Sequence, residues 1–175
     1  IHFDQEVCLP RFGFAYEQSG DFSVLEWFGR GQQESYPDRK NNLMFGLYKN
    51  PVRDLYWPDP KPQETANKSD ILWATTKTFE GLHLAIASEK PFNITVLPFD
   101  YNLLFKNIHS GYDISAGKNN FIVVDQHQKA VGNGLQSVDC QNIMKKDFSF
   151  FGRFKAFETQ NNKTQFYLNE REYYL

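Results

Sequence analysis

The sequence predicts an all-β, antiparallel fold in a single domain that spans residues 1–175. Aromatic residues make up 17% of the chain. Apolar side chains recur at every second position, as at Phe12, Phe14 and Tyr16, which is the pattern of half-buried strands. Turn residues separate many short runs of this kind, and helical periodicity is almost absent. These observations favour an antiparallel sandwich over a parallel sheet with crossover helices.

Each predicted element follows from its own run of residues. Residues 82–99 form two predicted strands joined by a turn over Ser88-Glu89-Lys90-Pro91. Further β-rich runs predict strands within residues 71–78, 120–125, 148–157 and 164–168. One short helix is predicted after Asp100, which can cap it, because the spacing of Leu104 and Ile108 puts both on one face. The proline-rich residues 57–62 predict an extended surface connection.

Composition and charge exclude several classes of function. The formal net charge is −2, without the clustered Lys and Arg that nucleic acid or an anionic membrane surface requires. No apolar run is long enough to span a membrane, and no signal peptide is visible. The four histidines match no metal-ligand spacing, so no metal site is expected. Cys8 and Cys140 are interpreted as two free thiols, which favours the cytoplasm but leaves export open.

The densest polar cluster follows a predicted strand and interrupts its alternation with two glycines. Within it, Glu34, Asp38 and Arg39 can form a bidentate charge network that locks the loop. We interpret this network as structural or interfacial. The segment reads Trp27-Phe28-Gly29-Arg30-Gly31-Gln32-Gln33-Glu34-Ser35-Tyr36-Pro37-Asp38-Arg39.

This segment resembles one in the C-terminal domain of bacterial lactose-cleaving β-galactosidases of glycoside hydrolase family 2. The resemblance runs in colinear order from about Cys8 to Phe157. The motifs that carry it, besides the cluster above, are Leu9-Pro10-Arg11-Phe12-Gly13, Pro62-Gln63-Glu64 with Asn67, Asp70 and Trp73, Pro91-Phe92-Asn93-Ile94, Leu97-Pro98-Phe99, Val123-Val124-Asp125 and Val131-Gly132-Asn133-Gly134. From it we expect a structural or interface motif made of Trp27, Glu34, Tyr36, Asp38, Arg39, Glu64 and Asn67.

The resemblance implies a galactose-mutarotase-like β-supersandwich that packs against a catalytic barrel. The chain would then be a C-terminal fragment of a longer β-galactosidase or its small subunit, within an oligomeric parent enzyme. Retaining hydrolysis of terminal β-D-galactosides needs an acid/base and a nucleophile, and these belong to the barrel, so no catalytic residue is carried over. No cofactor is expected in this chain. The candidate ions of the parent enzyme, Mg²⁺ and Na⁺, would belong to its catalytic domain.

One departure from the family pattern concerns the loop after Val131-Gly132. The lactose-specific enzymes continue there into Asp-Ser-Trp, whose tryptophan reaches the sugar-binding cleft. This sequence has no tryptophan at that place, which leaves lactose open as the substrate. Asn133, Ser137 and Asp139 are the candidate substrate-binding residues of the loop. Taken alone, Asn133-Gly134 also predicts an ordinary type I′ hairpin turn.

Two other functions stay open at this point. The chain could be a free-standing carbohydrate-binding module, with sugar stacked on a platform of aromatic side chains. The residues proposed for that platform are Tyr48, Tyr56, Trp57 and Trp73. An aldose-epimerase-like enzyme would need a histidine and a carboxylate that converge on the anomeric carbon. His83, His109 and His127 are available, but no motif supports them.

Overall fold

A computed structural model of the chain describes residues 2–7, 9–106, 111–128, 145–147, 152–160 and 163–166. Most of these residues lie in strands, and every strand pair is antiparallel. The strands are β1 (His2–Val7), β2 (Arg11–Ser19), β3 (Val24–Arg30), β4 (Phe45–Pro51), β5 (Lys68–Lys77), β6 (Leu82–Leu97), β7 (Asn119–Gln128), β8 (Lys145–Asp147), β9 (Arg153–Gln160) and β10 (Lys163–Phe166). The predicted all-β antiparallel class is confirmed. The kinship with galactose mutarotases stays a prediction.

Strand β6 joins the two parts of a sheet that has eight strands among the described residues. One of its edges pairs with β5. Its other edge pairs first with β9 and then with β7, which pairs in turn with β2. Two six-strand paths run through the sheet, β10-β9-β6-β5-β3-β4 and β2-β7-β6-β5-β3-β4, and β1 pairs separately with β8.

The main core lies on one side of β3 and around the second half of β6. On β3, Leu25 and Trp27 are fully buried, whereas their neighbours are partly exposed. On β7, the consecutive residues Ile122, Val123 and Val124 are all buried, so this strand is covered on both sides. Side chains alternate between the two faces of a strand. Burial at consecutive positions therefore marks the part of the sheet enclosed by the other elements.

The turn predicted at Ser88–Pro91 is wrong, because β6 runs without a break from Leu82 to Leu97. The register along β5 shows what these residues do instead. Ile71 faces Phe92, whereas Trp73 faces Ala87, so β6 has about three more residues than β5 between these pairs and bulges out of the ladder. Pro91 has no N–H to donate to the ladder, and a bulge is a site that tolerates such a residue within a sheet.

Short elements fill the connections between the strands. Helix α1 (Leu103–Lys106) lies where it was predicted, with Leu104 buried, and the Asp100 side chain accepts a hydrogen bond from the Asn102 N–H at 2.9 Å. Ile108, its predicted partner, lies outside the described residues. Single 3₁₀ turns occur at Val52–Asp54 and Gly111–Asp113. Within the part of the chain described, no helix is long and apolar enough to cross a membrane.

Candidate functional site

The loop after β3 is closed by an ionic clamp between β3 and β5. Asp70 accepts hydrogen bonds from Arg30 Nε and from Lys40 Nζ, both at 2.7 Å, and Arg30 Nη1 also reaches the Leu43 carbonyl at 3.1 Å. Burial would raise the pKa of Asp70, but these two cations hold it below its usual value. The clamp therefore fixes both ends of the loop to the start of β5.

Glu34 connects this loop to the segment that leads into β5. Its Oε1 accepts a hydrogen bond from Arg39 at 2.5 Å. Its Oε2 accepts one from the Ala66 N–H at 3.0 Å and one from the Thr65 hydroxyl at 3.2 Å. The predicted pairing of Glu34 with Arg39 is present in the structure, whereas Asp38 lies exposed and outside this pair. A carboxylate with charged and backbone donors is a strong anchor for two loops.

A fully buried polar contact between Ser35 and Asn67 continues this connection. The Ser35 N–H donates to the Asn67 carbonyl at 2.8 Å, and Asn67 Nδ2 donates back to the Ser35 carbonyl at 2.5 Å. The Ser69 N–H donates to Ser35 Oγ, and Thr95 Oγ1 donates to Asn67 Oδ1. Buried polar groups are tolerated when they are paired in this way. These contacts tie Asn67 to the loop after β3, and the structural or interfacial role of its motif stays a prediction.

The backbone around Asn67 is strained at two positions. Ala66 has a φ of 67° and Asp70 a φ of 55°, in the left-handed region that disfavours residues with a Cβ. Between them, the Lys68 ammonium lies 5.5 Å from the centroid of the buried Trp27 ring. Burial lowers the pKa of Lys68 to about 8, against the opposing effect of Glu34. Strained backbone of this kind persists only where surrounding contacts hold it.

A second ionic cluster joins β2, β7 and the segment before β5. Arg11 Nε donates to Asp125 at 2.7 Å, and Arg11 Nη1 and Nη2 donate to the Glu64 carboxylate at 3.2 and 3.3 Å. The Tyr101 hydroxyl donates to Glu64 and accepts from Arg11, and the guanidinium lies over the Tyr101 ring at 5.6 Å. One guanidinium therefore joins two carboxylates from distant parts of the chain.

Burial controls the titration of this cluster. It raises the pKa of Asp125 to about 6, although the Arg11 charge opposes the shift. Burial alone would lower the pKa of Arg11, but Asp125 and Glu64 raise it above its usual value. Burial and the charges of Glu64 and Glu34 raise the pKa of Tyr36. Among the described residues, the buried Tyr36 hydroxyl and Asp125 Oδ1 have no hydrogen-bond partner.

The structure brings together most, but not all, of the predicted motif residues. Glu34, Tyr36, Arg39 and Asn67 form one contiguous group, in which Arg39 lies 5.3 Å from the centroid of the Tyr36 ring. Trp27 joins this group through Lys68, whereas Glu64 belongs to the Arg11 cluster. The candidate substrate-binding residues Asn133, Ser137 and Asp139 lie outside the described residues, as do Cys8, Cys140 and His109.

The proposed aromatic platform is not assembled. Tyr48 faces Trp27 across the ladder at 5.6 Å between ring centroids, on the buried side of the sheet. Trp73 pairs with Phe28 on the opposite side. Tyr56 packs edge-on against the buried Phe99. Trp57, the fourth member, is 71% exposed, but the other three lie in separate packing environments and do not form one flat surface with it.

Sequence motifs alone assign no role to Arg11 or Asp125, the central pair of the second cluster. The signal was present, since Asp125 follows the apolar run Ile122–Val124 in a strand whose interior is buried. A carboxylate in that position needs a partner. Within the described ranges, no three His, Cys, Asp or Glu side chains are grouped so that they could hold a metal ion.

Comparison with known proteins identifies a family for this arrangement. The family model described as the β-galactosidase small chain matches residues 1–150. The β-galactosidase of Priestia megaterium is 31% identical over 124 residues, which cover 71% of this chain and 12% of that protein. The β-galactosidase of Kluyveromyces lactis is 31% identical over 151 residues, covering 83% of this chain and 14% of that protein.

A third relative extends the range of organisms. The β-galactosidase BgaC of Bifidobacterium adolescentis is 29% identical over 104 residues, which cover 58% of this chain and 10% of that protein. In each case, the matched segment makes up only 10–14% of the relative's length. The family match covers both ionic clusters and all the predicted motif residues. The chain belongs to the β-galactosidase small-chain family.

Proposed function

We propose that this chain is a non-catalytic domain of a β-galactosidase that hydrolyses terminal β-D-galactosides. It packs against the catalytic barrel, which belongs either to the same polypeptide or to a separate large subunit of an oligomeric enzyme, and it shapes the active-site cleft. Family membership and the similarity to three β-galactosidases support the association with that enzyme.

The arrangement of Glu64 and Asp125 supports a non-catalytic role for this chain. Retaining hydrolysis needs two carboxyl groups about 5–5.5 Å apart across an open site that holds the sugar. Here the Arg11 guanidinium occupies the space between the two carboxylates and bonds to both of them. Asp125 is also almost completely buried, at 1% exposed. This pair is suited to holding β2, β7 and the Glu64 segment together, and no galactoside can enter between them.

Glu34 supports the same role from the other cluster. Its two carboxylate oxygens are engaged by Arg39, Thr65 and the Ala66 N–H. A general acid or a nucleophile must instead be free to reach the substrate. Both clusters therefore stabilise loops, which supports a shape-giving domain whose partner carries the chemistry. We assign any Mg²⁺ or Na⁺ requirement of the enzyme to that partner.

A reconstitution experiment tests this function. The chain is purified and assayed with o-nitrophenyl β-D-galactoside, alone and with the barrel-containing β-galactosidase polypeptide of the same organism. Any segment of that polypeptide equivalent to residues 1–150 is deleted beforehand. We expect no turnover by the chain alone and a restored or increased rate for the mixture. Turnover by the pure chain, or an unchanged rate on mixing, would contradict the proposal.

Calorimetry with galactose and lactose separates this function from a carbohydrate-binding module. A module of that kind binds sugar without its barrel. We expect no heat of binding for the isolated chain, because its aromatic side chains do not form a platform. Millimolar or tighter binding of galactose by the chain alone would favour the module instead.

A further inference from the structure

The side of the sheet opposite Trp27 carries an exposed apolar surface. We call this surface the Phe28 face and define it by Phe28, Phe45, Leu47 and Trp73. Phe28 lies between Leu47 and Trp73 in the cross-strand register of β4, β3 and β5. The Phe45 ring packs edge-on against Phe28 at 4.8 Å, and the Trp73 ring stacks beside it at 6.4 Å. These contacts make the four side chains one continuous patch.

Most of this patch is exposed to solvent. Leu47 is 62% exposed and Phe45 is 45% exposed, and the adjoining Met44 is 78% exposed. Scattered apolar side chains are ordinary on a protein surface, whereas a contiguous patch marks an interaction site. Strand β4 is also an edge strand among the described residues, since it pairs only with β3. A partner can therefore reach the Phe28 face both across its apolar side chains and along the unpaired edge of β4.

The residues around the patch determine the shape and charge of its border. The row Leu47-Phe28-Trp73 continues across β6 and β9 through Ala87 to Arg153. Ala87 is small and exposed, so the surface is lower beside the Trp73 ring than at the ring itself. The next row begins at the exposed Lys49, whose cross-strand neighbour Glu26 is already bonded to Lys77. Positive charge therefore lies at the far end of the apolar row, at Arg153, and at the start of the adjacent row, at Lys49.

We infer that the Phe28 face is the surface through which this chain docks on the catalytic portion of a β-galactosidase. The docking surface of that polypeptide would be apolar at its centre and acidic at its rim, opposite Lys49 and Arg153. This inference rests on the proposed function. The matched segment is only 12–14% of the Priestia and Kluyveromyces enzymes, so most of such an enzyme is available to cover the face.

The chemistry of the face favours a polypeptide over a sugar. A galactoside needs several side chains that donate or accept hydrogen bonds to its hydroxyl groups. The four residues of the Phe28 face offer only the Trp73 indole N–H. Aromatic clusters at the centre of a surface, with charges only at the edge, are typical of protein interfaces and of their energetic hot spots.

Binding measurements with surface variants test the inference. The probe is the barrel-containing β-galactosidase polypeptide of the same organism, without its equivalent of residues 1–150, and its affinity for the chain is measured by calorimetry. We expect Leu47→Ser combined with Phe45→Ser to weaken binding by about 10–100-fold, as hot-spot truncations do. The matched control is Phe79→Ser, because Phe79 is 98% exposed in the turn between β5 and β6. This control should change the affinity by less than about twofold.

Charge reversal and hydrogen exchange provide independent measurements. Lys49→Glu combined with Arg153→Glu should weaken binding and reduce its dependence on salt. Amide hydrogens of β4 should gain protection in the wild-type complex. Because the substituted side chains are largely exposed, each variant chain should stay folded and lose no more than about 1–2 kcal/mol of unfolding free energy in urea.

The possible outcomes separate this inference from the proposed function. If the wild-type chain does not bind the catalytic polypeptide, both fail. If the wild type binds and the face variants bind equally well, only the docking surface is wrong. A wild-type homodimer that the Leu47 and Phe45 substitutions dissociate would assign the face to a second copy of the chain. Galactose binding lost in the same variants would assign it to a sugar. Either result would overturn the inference.

Discussion

Trp27 and Phe28 are neighbours on β3, yet they lie in two different environments. The Trp27 side is closed, because Tyr48, Lys68 and the apolar core cover the ring and leave it 0% exposed. The Phe28 side is open, and its neighbours on β4 lie largely in solvent. Both sides carry large aromatic residues, so composition does not distinguish them. What differs is whether the chain itself supplies the covering layer.

This difference separates the part of the sequence that stabilises the chain from the part available for association. Burial of apolar surface contributes to stability only where the folded chain achieves it. On the closed side, that burial is complete, and the charged groups Arg11, Glu64 and Asp125 at its border are joined by hydrogen bonds. On the open side, the same free-energy gain remains for a partner. Substitutions on the two sides should therefore affect different measurements.

The largest expected effect is that of Trp27→Ala. Removing a fully buried aromatic side chain costs about 3–5 kcal/mol of unfolding free energy. The Arg30 carbonyl also loses the hydrogen bond that it accepts from the Trp27 Nε1–H, which is 3.2 Å long in the wild type. Urea unfolding followed by circular dichroism measures the change.

Phe28→Ala is the matched control for this prediction. It removes an aromatic residue from the same strand, but from the open side, so we expect a loss of about 1 kcal/mol. Equal losses for Trp27→Ala and Phe28→Ala would contradict the distinction between the two sides.

The next effect tests the polar border of the closed side through Arg11→Met. Removing one partner of a buried ion pair costs about 3–5 kcal/mol, and partial solvent access to Arg11 reduces our expectation to about 2–3 kcal/mol at pH 8. The loss arises because Asp125, at 1% exposed, keeps its charge without a cation. Urea unfolding at several pH values measures it. Arg153→Met, which removes an exposed arginine, should change stability by less than about 0.5 kcal/mol.

The pH dependence of this variant has a definite sign. Burial raises the pKa of Asp125 from 3.8 to about 6 in the folded chain. The protonated carboxyl therefore stabilises the fold fully below pH 3.8, and this contribution is lost as the pH rises through 6. Without Arg11, the pKa of Asp125 rises further, so the loss is larger and extends to higher pH. The gap between wild type and Arg11→Met should widen from pH 5 to pH 8, and a constant gap would contradict this account.

The sequence predicted the strands well where each strand has a polar and an apolar side. Alternation located β2, and runs of β-branched residues located β5 and β7. The prediction from sequence failed at Ser88–Pro91, because turn-forming residues at a bulge have the same composition as those at a hairpin turn. Only the pairing of β6 with β5, β7 and β9 distinguishes the two cases, and that pairing is a property of the tertiary structure.

The candidate site was predictable where its partners are close in sequence. Glu34 and Arg39 lie five residues apart, and their pairing was predicted from one loop. Arg11 and Asp125 are 114 residues apart, so neither residue points to the other until β2 is paired with β7. The open side was also not predictable, because the pattern of apolar residues on β3 and β4 does not reveal which face the chain leaves uncovered.

The smallest expected effect is a gain in stability from Ala66→Gly on the closed side. An L-residue at a φ near that of Ala66, 67°, is disfavoured by about 1–2 kcal/mol, whereas glycine is not. Glycine also loses more chain entropy on folding, so we expect a net gain of about 0.5–1 kcal/mol in urea unfolding. Ala74→Gly replaces a buried alanine within β5, where no such strain exists, and should lose about 1 kcal/mol. If Ala66→Gly is also destabilising, the packing of the Ala66 methyl group contributes more to stability than the relief of backbone strain. The stability of the closed side then depends on filled volume even at a residue with a strained backbone.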